Sequence, residues 1–226
     1  MFTSAKDMLL YALFCAVIPY LLGSLSFSII VSRLLFQKDV RDYGSHNAGM
    51  TNVLRTFGKG AAALTVVGDI GKGVAAVLLA KWCFSAGLSN AAALGGAVIG
   101  VYLAAFFAVI GHVYPLYFGF KGGKAVSVAT GTIAALEPVL LVPLVVIFFV
   151  TLACGKMVSL ASVLCAVAYP LVTFCYQQFF VHAPAGQVGA ASVGAAVVGL
   201  LVIWLHRGNI ARIRAGTEYK FFQKKK

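Results

Sequence analysis

The sequence predicts an all-α, polytopic membrane protein, and three observations carry this prediction. Hydrophobic residues make up 61% of the 226 residues, charged residues make up only 11%, and the mean hydropathy is +0.95. A soluble domain carries about 25% charged residues, so this chain cannot cover a surface that faces water. Apolar runs also recur along the chain at the length of about 20 residues that crosses a bilayer.

Five such runs are continuous, and one further apolar stretch is interrupted. The continuous spans are expected at roughly 8–35, 60–80, 91–110, 158–180 and 188–205. Proline ends or kinks a helix, so Glu137-Pro138 within 124–154 leaves two interpretations: a pair of short helices joined by a tight turn, or one long kinked helix. We favour the pair, because Glu137 then reaches water instead of lying unpaired in lipid. The pair brings the count to seven transmembrane helices.

The distribution of basic residues predicts the orientation. Segments 37–59, 111–124, 155–157 and 206–226 carry four, two, one and seven of the 18 Lys and Arg residues. Excess Lys and Arg mark the cytoplasmic side, so we expect the N-terminus outside and the C-terminus in the cytoplasm. Seven spans are needed to keep these segments on one side. We find no internal repeat and no separate soluble domain, and therefore expect one membrane domain over 1–226.

The net charge of +12 could indicate nucleic-acid binding. We exclude that class, because the basic residues lie in short loops between apolar runs and no soluble basic domain exists to carry it. The tail Lys220–Lys226 is expected either to lie on anionic lipid headgroups or only to anchor the topology.

The first cytoplasmic segment contains two arginines, Arg41 and Arg55, beside the string G-S-H-N-A-G-M-T-N over 44–52. Glycines let the backbone approach an anion, and hydroxyl and amide side chains donate hydrogen bonds to it. An arginine grips phosphate with two bonds. The string therefore favours anion binding over an ordinary polar turn, the alternative that applies to each residue alone.

The second segment reads G-H-V-Y-P from Gly111 and then F-K-G-G-K up to Lys124. Two lysines flank Gly122-Gly123 where a helix is expected to begin, an arrangement that suits phosphate. It is not a Walker A loop, because the spacing differs. His112 is either a base or a residue that only caps the third span.

Three further features bear on the site. Asp69 and Lys72 lie three apart within a span, either as a functional pair or as a buried pair that fixes helix packing. Ser159 is expected at the cytoplasmic end of the sixth span. His206 and Asn209 share a face if they are helical. Together the cytoplasmic segments predict one polar site open to both water and the bilayer.

Five motifs occur in order along the chain: G-S-x-N-x-G-x-T-N-x-x-R, D-x-x-K-G, G-H-x-x-P with F-K-G-G-K, V-S-L-A-S, and H-x-x-N-I-x-R with G-T-E. Together they resemble the acyl-phosphate-dependent glycerol-3-phosphate acyltransferases of bacteria, the PlsY family. The motifs extend from residue 23 to 220, nearly the whole chain, in the family order. The resemblance implies a seven-span enzyme of the cytoplasmic membrane with its active site facing the cytoplasm. It implies acyl transfer from acyl phosphate to the 1-hydroxyl of glycerol 3-phosphate, with lysophosphatidic acid and phosphate as products and no acyl-CoA, cofactor or metal.

Matched by position, the resemblance implies two groups of site residues. The catalytic group is Ser45, Arg55, Lys124, Ser159, His206 and Asn209. The substrate-binding group is Asn47, Thr51, Asn52 and Glu218, and the second segment adds His112, Lys121, Gly122 and Gly123 from its own residue pattern. We expect His206, His112 or the acyl phosphate itself to accept the proton.

The chain departs from the family pattern at three positions. Ser26 stands where proline is common in the first span, His46 stands where glycine is usual, and Ala125 replaces the glycine after Gly-Gly-Lys. The last change leaves open where the helix after Lys124 begins. Two other classes remain as alternatives: a transporter or channel for a small anion, and a lipid-binding membrane protein without chemistry.

Overall fold

The structure, a computed structural model, describes residues 5–87 and 96–221. In these ranges every regular element is helical, which confirms the predicted class. The α-helices are α1 Ala5–Gly23, α2 Phe27–Phe36, α3 Met50–Phe57, α4 Lys59–Gly87, α5 Gly96–Val113, α6 Val126–Leu136, α7 Leu141–Gly155, α8 Val158–Phe179, α9 Ala185–Leu205 and α10 Arg207–Arg214. Short 3-10 turns occupy Val40–Asp42, Leu116–Phe118 and Pro138–Leu140.

Six helical stretches in the described ranges are long and apolar enough to cross a membrane. They are Leu9–Phe36, Lys59–Cys83, Ile99–Phe118, Pro138–Gly155, Val158–Phe179 and Ala185–Leu205. The remaining one of the seven predicted spans, the fourth along the chain, corresponds to α6, which is apolar but has only 11 residues. A helix of that length rises about 16 Å, roughly half of the hydrocarbon core. The chain is thus a membrane protein of several spans, and the count of seven stays a prediction.

The first predicted span is not one continuous helix. It divides into α1 and α2 at residues 24–26, where the Ser24 hydroxyl donates to the Tyr20 carbonyl. Ser26, the residue immediately before α2, has extended backbone. A break inside a span leaves backbone carbonyls that need partners. One of them, the Leu25 carbonyl, accepts a hydrogen bond from Lys72 at 2.7 Å.

The region around Glu137 resolves the choice between a helix pair and one kinked helix. Glu137 has φ −149° and ψ 88°, which is not helical, and it separates α6 from a 3-10 turn and α7. Two helices are therefore formed. The Glu137 carboxylate accepts a hydrogen bond from Gln177 at 3.2 Å, and Gln187 donates in turn to Gln177.

The chain divides into two compact units, the first ending at Leu136 and the second beginning at Glu137. In the first unit, α1 packs on α5 and α4 packs on α6; in the second, α8 packs on both α7 and α9. Helices in lipid associate through small residues that allow close backbone approach. Gly131 of α6 lies against the Ile70 backbone of α4, and Gly199 of α9 lies against the Ala166 backbone of α8.

Candidate active site

The segment between α2 and α4 is more ordered than a polar loop, because Asn52 organises it. This side chain is buried on α3, a short helix inside a segment that the sequence predicted as a loop. Its amide nitrogen donates to the carbonyls of Val40, Tyr43 and Asn47 at 2.9 to 3.1 Å, and its oxygen accepts from the Ser45 N–H at 2.9 Å. Asn52 therefore holds the segment that carries Ser45 and Asn47.

Thr51 and Arg55 lie on the same short helix. They are four residues apart and so share one face of α3. Both are partly buried, whereas Ser45 is exposed. Of the residues predicted from the first motif, Thr51 and Arg55 therefore lie on one helix, and Ser45 lies in the loop that Asn52 of this helix holds in place.

Arg41 connects the first polar segment to the second. Its guanidinium donates to the carbonyls of Phe118 and Lys121 at 2.7 and 3.2 Å, and it also bonds to Asp39. The hydrogen bonds from Arg41, together with those from Arg33, hold the pKa of Asp39 well below its usual range even though burial opposes this shift. An ionised Asp39 keeps Arg41 fixed.

A pocket of about 500 Å³ opens between these two segments. It is lined by Asp39, Arg41, Asp42, His46, Phe118, Gly119, Lys121 and Gly122. Lys121, predicted as a substrate-binding residue, therefore faces a space large enough for a small anion.

The Gly-Gly string folds back against the end of α5. The Gly122 and Gly123 N–H groups donate to the carbonyls of Val113 and His112 at 3.0 and 3.2 Å. A Cβ on Gly123 would collide with both the His112 ring and the Ala48 carbonyl oxygen. The two motif segments are therefore in close contact at Gly123, immediately before Lys124.

The pair predicted within the second span is a buried ion pair that extends to His112. Lys72 Nζ lies 2.8 Å from Asp69 Oδ1 and 2.9 Å from His112 Nδ1, and all three side chains are buried. The spacing of Asp69 and Lys72 is visible in the sequence, but this third member is not. No local signal joins residues 40 positions apart.

In the second unit, Glu218 gathers the predicted residues of two elements. Its Oε1 accepts from Ser159 Oγ at 2.7 Å and from Asn209 Nδ2 at 2.6 Å, and its Oε2 pairs with Arg212 at 2.7 Å. Burial alone would raise the pKa of Glu218. The hydrogen bonds from Ser159, Asn209 and Arg212 outweigh burial and hold the pKa below its ordinary value.

His206 lies at the junction of α9 and α10, and its side chain is buried. Its Nδ1 lies 2.8 Å from the Val202 carbonyl oxygen. A carbonyl only accepts hydrogen bonds, so Nδ1 carries the proton and the neutral ring has its lone pair on Nε2. His206 itself is not helical, with φ −93° and ψ 6°, whereas Asn209 lies in α10.

Comparison with known proteins identifies the family of this chain. Residues 13–216 match the family model described as glycerol-3-phosphate acyltransferase. A glycerol-3-phosphate acyltransferase of Burkholderia pseudomallei (strain K96243) is 40% identical over 219 residues, covering 95% of this chain and 97% of that protein. One of Clostridioides difficile (strain 630) is 40% identical over 210 residues, covering 93% and 95%.

Two solved structures have the same fold. Both are crystal structures of PlsY, an integral membrane glycerol 3-phosphate acyltransferase. The glycerol 3-phosphate form is 31% identical, with a TM-score of 0.77 and coverage of 94% of this chain and 99% of that one. The lysophosphatidic acid form is 30% identical, with a TM-score of 0.75 and coverage of 92% and 94%. This chain belongs to the glycerol-3-phosphate acyltransferase family.

Proposed function

We propose that this chain transfers a fatty acyl group from acyl phosphate to the 1-hydroxyl of glycerol 3-phosphate, giving lysophosphatidic acid and inorganic phosphate. The observation that carries the proposal is the close contact of the two motif segments at Gly123, in a chain that matches glycerol-3-phosphate acyltransferases over 95% of its length. We further propose seven spans in a bacterial cytoplasmic membrane, with the site facing the cytoplasm.

The reaction requires two phosphate-bearing molecules to approach each other. The hydroxyl oxygen attacks the acyl carbonyl carbon, the bond from that carbon to the phosphate oxygen breaks, and inorganic phosphate leaves. Arg55, Lys121 and Lys124 supply positive charge that offsets the repulsion between the two anions, and Ser45 donates a hydrogen bond to a substrate phosphate. Positively charged groups also stabilise the oxyanion that develops on the carbonyl.

Glu218 has an orienting role in this proposal and does not bind phosphate directly. A carboxylate held ionised would repel an anionic substrate. Its hydrogen bonds instead fix the positions of Ser159 and Asn209. We assign these two side chains to the acyl-phosphate part of the site.

The proton of the attacking hydroxyl needs an acceptor. His206, whose Nδ1 carries the proton, and His112 are the two candidate bases of the protein, and the phosphate oxygens of the acyl donor are the third acceptor. The pH profile of kcat/KM decides between them. Loss of one limb in His206→Ala or in His112→Ala identifies a protein base, and an unchanged profile in both variants assigns the proton to the substrate.

A product assay tests the proposal as a whole. Purified protein is incubated with acyl phosphate and labelled glycerol 3-phosphate, and a labelled lipid is expected. Acyl-CoA offered as the only donor should give none. Anion flux into vesicles without any lipid product would instead support the transporter alternative.

Two substitutions test the assigned charges. Arg55→Ala and Lys124→Ala should each lower kcat/KM by at least about 100-fold, equivalent to about 2.7 kcal/mol of transition-state stabilisation. Lys59→Ala is the matched control, because Lys59 is an exposed lysine at the start of α4. Turnover near the wild-type rate in either test variant would remove that residue from the site.

A further inference from the structure

A buried lysine in α4 contacts three polar groups drawn from three parts of the first unit. Lys72 Nζ donates to the Leu25 carbonyl at 2.7 Å, lies 2.8 Å from Asp69 Oδ1, and lies 2.9 Å from His112 Nδ1. The side chains of Lys72, Asp69 and His112 are each 3% exposed or less.

The hydrogen bond from Lys72 decides the tautomer of His112. Because a lysine ammonium only donates hydrogen bonds, Nδ1 accepts the bond from Lys72 and cannot itself carry a proton. The Asp69 carboxylate does not take a proton from Nδ1, since the two atoms are 3.6 Å apart, beyond hydrogen-bond distance. The neutral ring therefore carries its one proton on Nε2.

The protonated nitrogen lies where the two motif segments meet. A Cβ on Gly123 would collide with His112 Nε2 and with the Ala48 carbonyl oxygen. Only a glycine leaves room for the ring at this position. The Nε2–H group is thus beside the backbone that precedes Lys124, the lysine assigned above to phosphate.

We propose that Lys72, held by Asp69, is a positioning residue that fixes His112 in its Nε2–H form, so that His112 donates a hydrogen bond to an oxygen of the anionic substrate and does not act as a base. This inference rests on the proposed function for the identity of the substrate, glycerol 3-phosphate or acyl phosphate. His206 has the opposite tautomer, since its Nδ1 donates to Val202. The two histidines consequently have different roles.

Fixing the His112 tautomer also gives a reason for the Lys72–Asp69 ion pair inside a membrane span. Removing two charges from water is costly, and apolar residues of similar volume often pack equally well or better. A methionine or leucine at position 72 would fill the same space between α4 and α5. Only a donor at this position directs a hydrogen bond to Nδ1 and thereby fixes the proton of the ring.

The tautomer is measured directly by NMR on protein labelled with ¹⁵N-histidine, without substrate. The His112 signals are assigned by their loss in His112→Gln. Wild-type protein should show the proton on Nε2 across the neutral range. The double variant Lys72→Met with Asp69→Asn, which leaves no uncompensated buried charge, should show a mixture of the two tautomers. An Nδ1–H ring in wild-type protein, or an unchanged Nε2–H ring in the double variant, overturns the proposal.

Lys81→Met is the matched control for the NMR measurement. Lys81 lies on the same helix and also donates to backbone carbonyls, those of Ala135 and Leu136, at 2.6 and 3.0 Å. Its loss perturbs α4 as the loss of Lys72 does but does not involve His112. The control should therefore keep the wild-type tautomer; a shift of the same size as in the double variant would assign the effect to helix packing and overturn the proposal.

Two substitutions of His112 separate a donor from a base. The amide nitrogen of glutamine reaches the position of Nε2, whereas that of asparagine reaches only the position of Nδ1. His112→Gln should stay within about tenfold of wild-type kcat/KM with most of the change in KM, and His112→Asn should lose at least about 100-fold, as for removal of an oxyanion donor. Equal, large losses in both variants, as expected for a base, would overturn the donor role.

Failure of the proposed function is distinguishable from failure of this inference. If wild-type protein makes no lipid product, the proposed function is wrong, while the tautomer measured without substrate still decides the role of Lys72. If wild-type protein acylates glycerol 3-phosphate but has an Nδ1–H ring at His112, only the inference is wrong.

Discussion

Two residues that replace the family's usual glycines have left-handed backbone. His46 has φ 57° and Ala125 has φ 64°. A Cβ in this region crowds the following carbonyl and costs about 1–2 kcal/mol, whereas glycine adopts it freely. The structure therefore gives a physical reason for glycine at both positions, and it keeps the helix start close to Lys124, because α6 begins at Val126.

Ala125→Gly should stabilise the protein by about 1 kcal/mol, because it removes the left-handed strain. The measurement is thermal unfolding in a single detergent. Ala134→Gly is the control, since Ala134 lies within the same helix α6, where glycine costs about 1 kcal/mol. If both variants are destabilised to the same extent, position 125 is not strained.

Glu218 predicts a pH dependence of stability. Its folded pKa lies below the ordinary value of about 4.5, so its contribution is fully present above that pH and is lost as the pH falls through the folded pKa. Wild-type protein should melt at least about 4 °C above Glu218→Gln at pH 7, as expected for loss of hydrogen bonds worth 1.5–3 kcal/mol. The difference should shrink steadily below pH 4.5. A constant difference between pH 7 and pH 3 would contradict the ionised hydrogen-bonded carboxylate.

The sequence predicted a set of polar residues for the site, and the structure shows what two of them contact. Asn52 and Glu218 were both expected to bind substrate, yet Asn52 bonds to three backbone carbonyls and Glu218 bonds to Ser159, Asn209 and Arg212. An amide or carboxylate suits a ligand and a neighbouring loop equally well. Only the three-dimensional contacts distinguish the two uses.

At the scale of helices, the packing of α4 against α6 depends on glycines within the apolar segments. Gly131 of α6 approaches the Ile70 carbonyl of α4 so closely that even a methyl group has no room, and a methyl group on Gly73 of α4 would likewise collide with the Val128 carbonyl of α6. The contact is therefore reciprocal. Such small residues let helices meet where no hydrophobic driving force acts between them.

Gly131→Ala should destabilise the protein by about 1–3 kcal/mol, the usual cost of overpacking. A destabilisation is informative, because replacing glycine by alanine in a helix stabilises it by about 1 kcal/mol where the methyl group meets no steric clash. Gly71→Ala provides that comparison: it lies in the middle of α4, and its Cβ would meet nothing within 4 Å. Equal unfolding temperatures for the two variants would remove Gly131 from the helix contact.

The sequence predicted most helices but not the break between α1 and α2. Hydropathy identifies a span from the average of its residues, and Ser24-Leu25-Ser26 hardly changes that average over 8–35. The break depends partly on a distant partner, since the Leu25 carbonyl bonds to Lys72. By contrast, Glu137-Pro138 is a local signal, and there the predicted helix boundary is confirmed.

At the scale of the whole molecule, charge asymmetry predicts the orientation. Basic residues are concentrated in the segments before α4, between α5 and α6, between α7 and α8, and after α9. Excess Lys and Arg stay on the cytoplasmic side. This sorting requires the short helix α6 to count as a crossing, because otherwise every segment after it changes sides.

The crossing by α6 is tested by cysteine labelling. The five natural cysteines are replaced by alanine, and single cysteines are introduced by Lys121→Cys before α6 and Val181→Cys between α8 and α9. A membrane-impermeant maleimide should label the Val181→Cys protein in intact cells and the Lys121→Cys protein only after permeabilisation. If α6 does not cross, both positions lie on the cytoplasmic side and neither is labelled in intact cells. Arg214→Cys distinguishes the two topologies a second time, because the tail is cytoplasmic with seven spans and outside with six. It should be labelled in intact cells only if α6 does not cross.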